Sequence, residues 1–126
     1  MKPINHQSSM ALKVADLQLC IPLQAISFDW SAAAGIELAV LRMDLLDPLL
    51  GGNKWFKLQP HLRAAQQTAA QGLISLGGAH SNHLHALAAA GQRYGFATVG
   101  LLRGELQDTP TVRDLQAFGM QLHWLG

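Results

Sequence analysis

The sequence predicts an α/β fold whose second half is a three-layer parallel-sheet segment of order β-α-β-α-β. Three observations carry that prediction. From Leu73 onward, apolar runs of strand length alternate with longer stretches whose apolar residues recur at helical spacing. Glycines stand at the joints, at Gly72, Gly95 and Gly119. The 126 residues are 49% hydrophobic and 13% charged, which is core-forming material and not a disordered chain. Strands joined by helical crossovers run parallel, and a parallel sheet is ordinarily covered by helices on both faces.

Taken in order, residues 1–16 read as a lead-in. Leu17 to Ile21 alternates briefly, as a short strand stopped by Pro22 would. Ser31 to Gly35 is small and turn-like, and Ile36 to Arg42 alternates as a second strand. Asp44, Asp47 and Pro48 break that pattern and lead into Gly51-Gly52. Asn53 is a good helix cap. The apolar spacing through Leu58, Leu62, Ala65 and Ala69 predicts a helix stopped at Gly72, either kinked at Pro60 or beginning there. Leu73 to Leu76 reads as a buried strand. Ser81 or Asn82 can cap a helix from about His83 to Tyr94, ended by Gly95. Ala97 to Leu102 is a strand, Thr111 to Phe118 a helix, and Gln121 to Leu125 a last strand.

Composition excludes several roles. The net charge is +1 with no basic block, so neither nucleic acid nor an anionic membrane is an expected partner. Cys20 is the only cysteine, which permits no internal disulfide and no cysteine-rich zinc site. The polar N-terminus lacks the apolar core of a signal peptide, and Leu17 to Phe28 is too short and interrupted to span a bilayer. A cytoplasmic setting is expected.

Two stretches could carry chemistry. In Gly51-Gly52-Asn53-Lys54, glycines open a loop-to-helix junction and Trp55, Phe56 and Leu58 pack beside the lysine. A partly desolvated lysine has a larger neutral fraction, and the neutral amine is the nucleophile that attacks carbonyls. Lys57 reads as part of a solvated helix face. The second stretch, Gly77-Gly78-Ala79-His80-Ser81-Asn82-His83, lies between a strand end and a helix start, where open α/β sheets bind ligands and helix N–H groups favour anions. Ser81 and Asn82 add a hydroxyl and an amide there. A capped helix after a glycine turn is the plainer reading. His80, His83 and His85 raise a metal-dependent hydrolase as an alternative, although His85 departs from the helix face the other two could share and no acidic residue is near.

These two motifs, with Arg42-Met43-Asp44-Leu45-Leu46-Asp47-Pro48 before the first, resemble the 1-aminocyclopropane-1-carboxylate deaminase/D-cysteine desulfhydrase family of pyridoxal-phosphate enzymes, within the tryptophan-synthase-β-like (fold type II) superfamily. Gly104-Glu105, Pro110-Thr111 and Phe118-Gly119-Met120 share the likeness, which runs from about Pro22 to Gly126. The resemblance implies pyridoxal 5'-phosphate as cofactor, Lys54 as its Schiff-base lysine, and Asn82 as partner of the ring hydroxyl. It implies that Ser81, Asn82 and His83 bind the substrate and that Ser81 can also act as acid, base or nucleophile. The implied reaction is a deaminase/lyase reaction on a small amino acid, releasing ammonia and a 2-oxo acid, in a homodimer when full-length. Ring-opening members tend to carry Gln where this chain has His83, and both subgroups continue Thr-Arg where it has Leu84-His85.

The family's glycine-rich phosphate loop and its partner for the pyridine nitrogen have no match here. An apolar strand ends the sequence with no helix after it. The chain is therefore expected to be an N-terminal segment, inactive alone. Residues 1–60 would belong to the large cofactor domain and residues 61–126 to the small α/β domain. A truncated, non-catalytic remnant or interaction module is the alternative.

Overall fold

The structure, a computed structural model, describes residues 20–126. Its chain order is β1 (Leu23–Ile26), α1 (Asp29–Ala33), β2 (Leu38–Leu41), a 3₁₀ turn (Met43–Leu45), α2 (Asn53–Gln67), β3 (Gly72–Gly77), α3 (Asn82–Tyr94), β4 (Ala97–Leu102), α4 (Pro110–Ala117) and β5 (Gln121–Trp124). The lead-in and most of the strand expected at Leu17 to Ile21 lie outside the described residues. Cys20 and Ile21 are not in a strand; β1 instead begins after Pro22. The Pro22 carbonyl accepts from Arg42 N–H (2.9 Å), so the proline leads into the antiparallel β1–β2 pair and does not end it. Ser31 to Gly35 is not merely a turn. Ser31 is buried, and its Oγ accepts from Phe28 N–H (3.0 Å) and donates to Phe28 O (2.9 Å), fixing the short helix α1.

Helix α2 runs unbroken through Pro60. The proline gives up one intrahelical bond. Against that loss, Trp55, Leu58, Leu62 and Ala65 are all buried, on the side that meets α3. Gly52, not Asn53, is the N-cap residue, and the helix ends at Thr68, leaving Gly72 as the first residue of β3. The expected domain boundary at residues 60/61 falls inside this helix.

From β3 on, the expected parallel order holds: β3 pairs with β4 and β4 with β5, both parallel, in the order β3-β4-β5. Because consecutive strands are neighbours, right-handed crossovers put α3 and α4 on one side. The burial alternates accordingly. Thr98, Gly100 and Leu102 of β4 are buried under the helices, while Ile74 and Leu76 of β3 are 69% and 51% exposed on the opposite face. Within the described residues this is therefore two layers and not the expected three, and β3 is not the buried strand that its apolar run suggested. The core lies between sheet and helices: Leu50, Trp55, Leu58 and Leu62 meet Leu84, Leu87 and Tyr94 of α3, and Leu102, Val112, Leu115 and Met120 complete the cluster. Trp55 stacks on Tyr94 with ring centroids 6.1 Å apart.

Candidate active site

Helix α3 is bounded by the signals its sequence displays. Ser81 is the N-cap, its Oγ accepting from Leu84 N–H at 3.1 Å, and Gly95 closes the helix in the left-handed conformation. The helix thus starts at the carboxyl end of β3 and turns its N-terminus toward the junction that begins α2. The loop before that junction is held by Asp47. Its Oδ1 accepts from Leu49 N–H and Leu50 N–H (2.9 Å each), and Arg93 of α3 grips both carboxylate oxygens at 2.7 and 3.3 Å. Burial opposes ionisation of Asp47, but the hydrogen bonds from Arg93 and the two N–H groups outweigh it and hold the carboxyl below its usual range.

Between these elements lies a cleft of about 430 Å³, lined by Asp44, Asp47, Gly51, Gly52, Asn53, Lys54, Asn82 and His85 among others. Its size suits a small ligand. Lys54 is in the first turn of α2 and Asn82 in the first turn of α3, so two helix N-termini border the same cavity. Neither the Lys54 amine nor the Asn82 amide has a hydrogen bond or ion pair among the described residues. Asp44, also on the cleft, is held by Arg42 at 2.7 Å.

The other two predicted residues are engaged elsewhere. The Ser81 oxygen caps its own helix. His83 turns to β3, where Nε2 lies 2.8 Å from Ser75 Oγ, beside a smaller pocket of about 210 Å³ lined by Leu58, His61, Leu73, Ser75, His83 and Leu87 among others. Burial, then the charges of Lys54, Lys57 and His61, push the His83 pKa down, so the ring is neutral at pH 7. The three histidines do not converge. His80 is exposed, and His85 Nε2 meets Asp114 Oδ2 of α4 at 3.2 Å. Among the described residues no three His, Cys, Asp or Glu side chains gather as a metal set.

No protein-family model matches the chain. A curated protein named "Putative 1-aminocyclopropane-1-carboxylate deaminase", from Pyrococcus abyssi, is 37% identical over 75 residues, 60% of this chain and 23% of that protein. A "Putative D-cysteine desulfhydrase 2, mitochondrial" from Oryza sativa subsp. japonica is 40% identical over 72 residues, 57% of this chain and 18% of that protein. A crystal structure of an ACC deaminase homologue superimposes with a TM-score of 0.72 at 26% identity, covering 86% of this chain and 33% of that one. The chain is a partial match to the 1-aminocyclopropane-1-carboxylate deaminase/D-cysteine desulfhydrase family. Its fold is that of the same fold type II enzymes. A hydrogen sulfide-producing enzyme from Fusobacterium nucleatum shares the fold alone, with a TM-score of 0.64 at 16% identity over 94% of this chain and 38% of that one. The chain spans less than a quarter of the length of these two curated deaminase/desulfhydrase relatives.

Sequence reasoning missed Arg93, Ser75 and Asp114. Arg93 carried a weak signal as the basic residue in the last turn of α3, a favoured place for a cation. Nothing local announced its partner 46 positions away. Among the described residues no helix is long and apolar enough to cross a membrane.

Proposed function

We propose that this chain is the lysine-bearing segment of a pyridoxal-phosphate-dependent deaminase/desulfhydrase-type enzyme that acts on a small amino acid in the cytoplasm, releasing ammonia and a 2-oxo acid. One observation carries the reading. Lys54 and Asn82, on different helices and 28 positions apart, line one cleft with their polar groups unengaged among the described residues. The donor set fits the cofactor: an amine for its aldehyde carbon, an amide for its ring hydroxyl, and helix N-termini for anionic groups. When bound, pyridoxal phosphate supplies the electron sink for chemistry at the amino-acid α and β carbons.

The chain's own residues supply the rest. Lys54 would hold the cofactor covalently, and its free amine would take or return a proton at a substrate carbon. Asn82 orients the ring. The Ser81 hydroxyl hydrogen remains free for donation after its oxygen caps α3, which suits a substrate carboxylate or a second proton transfer. His83, turned to Ser75 at the neighbouring pocket, lies outside the Lys54 cleft and would bear on a substrate only through that pocket. In this reading residues 1–60 belong with the cofactor domain, residues 61–126 with the small domain, and the working enzyme is a homodimer.

The test is reductive trapping. The chain is mixed with pyridoxal phosphate, treated with borohydride and mapped by mass spectrometry. Label concentrated at Lys54, absent from Lys54→Arg and weakened in Asn82→Ala, supports the reading. Label spread evenly over Lys54, Lys57 and the other lysines refutes it. Production of pyruvate or another 2-oxo acid from D-cysteine or 1-aminocyclopropane-1-carboxylate tests the reaction itself.

A further inference from the structure

We propose that His85, held by Asp114, is a second proton-accepting group of the Lys54 cleft, taking a hydrogen bond or a proton at Nδ1 from an amine or hydroxyl of a small ligand. This rests on the cleft being the site proposed above. Four titratable side chains line it: Asp44, Asp47, Lys54 and His85. Both carboxylates are committed, Asp44 to Arg42 and Asp47 to Arg93 and two backbone N–H groups. Lys54, when charged, only donates.

His85 differs in how it is held. Its Nε2 lies 3.2 Å from Asp114 Oδ2, and its ring meets Phe118 edge-on with centroids 5.3 Å apart and planes at 82°. Asp114 of α4 and Phe118, the residue that caps its C-terminus, therefore fix an imidazole carried by α3. A carboxylate can only accept, so the proton of a neutral His85 belongs on Nε2 and the lone pair on Nδ1. That nitrogen makes no hydrogen bond among the described residues. A carboxylate fixing one imidazole nitrogen so that the other faces the reactants is the logic of a positioned base. Should the ligand surrender its proton, the electron pair stays on the ligand, Nδ1 gains the proton, and the imidazolium forms against the Asp114 carboxylate. Asp114 is thus a positioning residue, acting through His85.

The experiment uses the full chain with ¹⁵N-labelled histidine and two-bond imidazole spectra, the His85 signals being identified by their loss in His85→Gln. The free protein should show the Nε2–H form. Asp114→Asn, which can offer an amide N–H to Nε2, should shift His85 toward the Nδ1–H form, an effect that a merely structural contact would not produce. Adding D-alanine, alone and then with pyridoxal phosphate, should move the His85 Nδ1 resonance in the parent protein and not in Asp114→Asn. In His85→Gln, borohydride trapping of the cofactor at Lys54 should persist, while D-alanine added before the borohydride protects Lys54 from trapping about 3–10-fold less effectively, the worth of one hydrogen bond. An Nδ1 proton in the free protein overturns the proposal. So does a resonance that D-alanine leaves unmoved both with and without cofactor. Loss of Lys54 trapping in the parent protein overturns the cofactor reading instead, and His85 is then judged on the D-alanine titration alone.

Discussion

Replacing Gly52 with alanine separates backbone conformation from packing at the junction that presents Lys54. Gly52 has φ 69° and ψ −154° as the N-cap of α2, a region that side-chain-bearing residues essentially avoid. Its N–H donates to Met43 O at 2.7 Å, so the backbone is tied in place. An added Cβ would meet no atom within 4 Å, so the whole cost is conformational, about 1–3 kcal/mol. Gly51 is the opposite case. Its Cβ would lie 2.8 Å from the Asp47 carbonyl oxygen and 3.2 Å from that of Asp44, and overpacking against backbone costs about 1–3 kcal/mol. Gly78 has neither problem, and Gly78→Ala should stay within about 0.5 kcal/mol of the parent. Urea unfolding followed by tryptophan fluorescence reads all three. With a slope of about 1–3 kcal/mol/M, a loss of ~2 kcal/mol moves the midpoint by roughly 1 M. Both junction variants should also slow trapping of pyridoxal phosphate at Lys54, two or three residues downstream, while Gly78→Ala should not. A Gly52→Ala protein as stable as Gly78→Ala would refute the reasoning.

Three further outcomes are expected. Arg93→Ala leaves the largely buried Asp47 carboxylate with only its two backbone donors and should cost about 1–3 kcal/mol by denaturant unfolding. Because the folded Asp47 pKa is lowered, its contribution is present above the unfolded value near 3.9 and lost as pH falls through the lower folded one; the variant should show a shallower acid loss over that window. Ser81→Ala removes the cap of α3 and should cost about 1 kcal/mol, with Ser81→Asp restoring most of it. The lowered His83 pKa makes a contribution that is full above the unfolded value near 6.5 and lost as pH falls through the folded value; His83→Gln should flatten stability against pH there while keeping a polar partner for Ser75.

What the sequence made legible follows the range of each interaction. Ser81 and Gly95 mark α3 correctly because a cap and a left-handed terminator act within one turn of the helix they bound. The limits of β4 and the stop of α4 before Gly119 are equally local. Pro60 left two options open because its penalty of about 3 kcal/mol is local while the burial of Leu58, Leu62 and Ala65 is not. The all-apolar run Leu73 to Leu76 concealed a bare face. A pattern of period two shows which side is covered only when the uncovered side is polar, and Ile74 and Leu76 are not.

The site shows the same division. Ser81, Asn82 and His83 are adjacent in sequence, and adjacency suggested one shared task, but a helix turns about 100° per residue and sends consecutive side chains different ways. Only Asn82 of the three lines the cleft with Lys54; Ser81 folds back on its helix and His83 reaches Ser75. The groups that organise the cleft come from afar, Arg93 onto Asp47 across 46 positions and Asp114 onto His85 across 29. Composition cannot suggest such pairs, since each partner alone is an ordinary surface charge. Read together, they change what Lys54 is. Glycine flexibility alone would make it a lysine on a loose loop. With Asp47 pinning that loop to Leu49, Leu50 and Arg93, and α3 bringing Asn82 and His85 to the same cavity, the backbone that carries Lys54 is tied down and its side chain borders a cavity shared with two other polar groups. Under the proposed function such an arrangement would raise effective concentration toward a bound carbonyl, and the exposed Lys57, which does not line the cavity, lacks it. Preferential trapping at Lys54 over Lys57, three residues and one helical turn away, therefore measures the placement more directly than any property of the lysine itself.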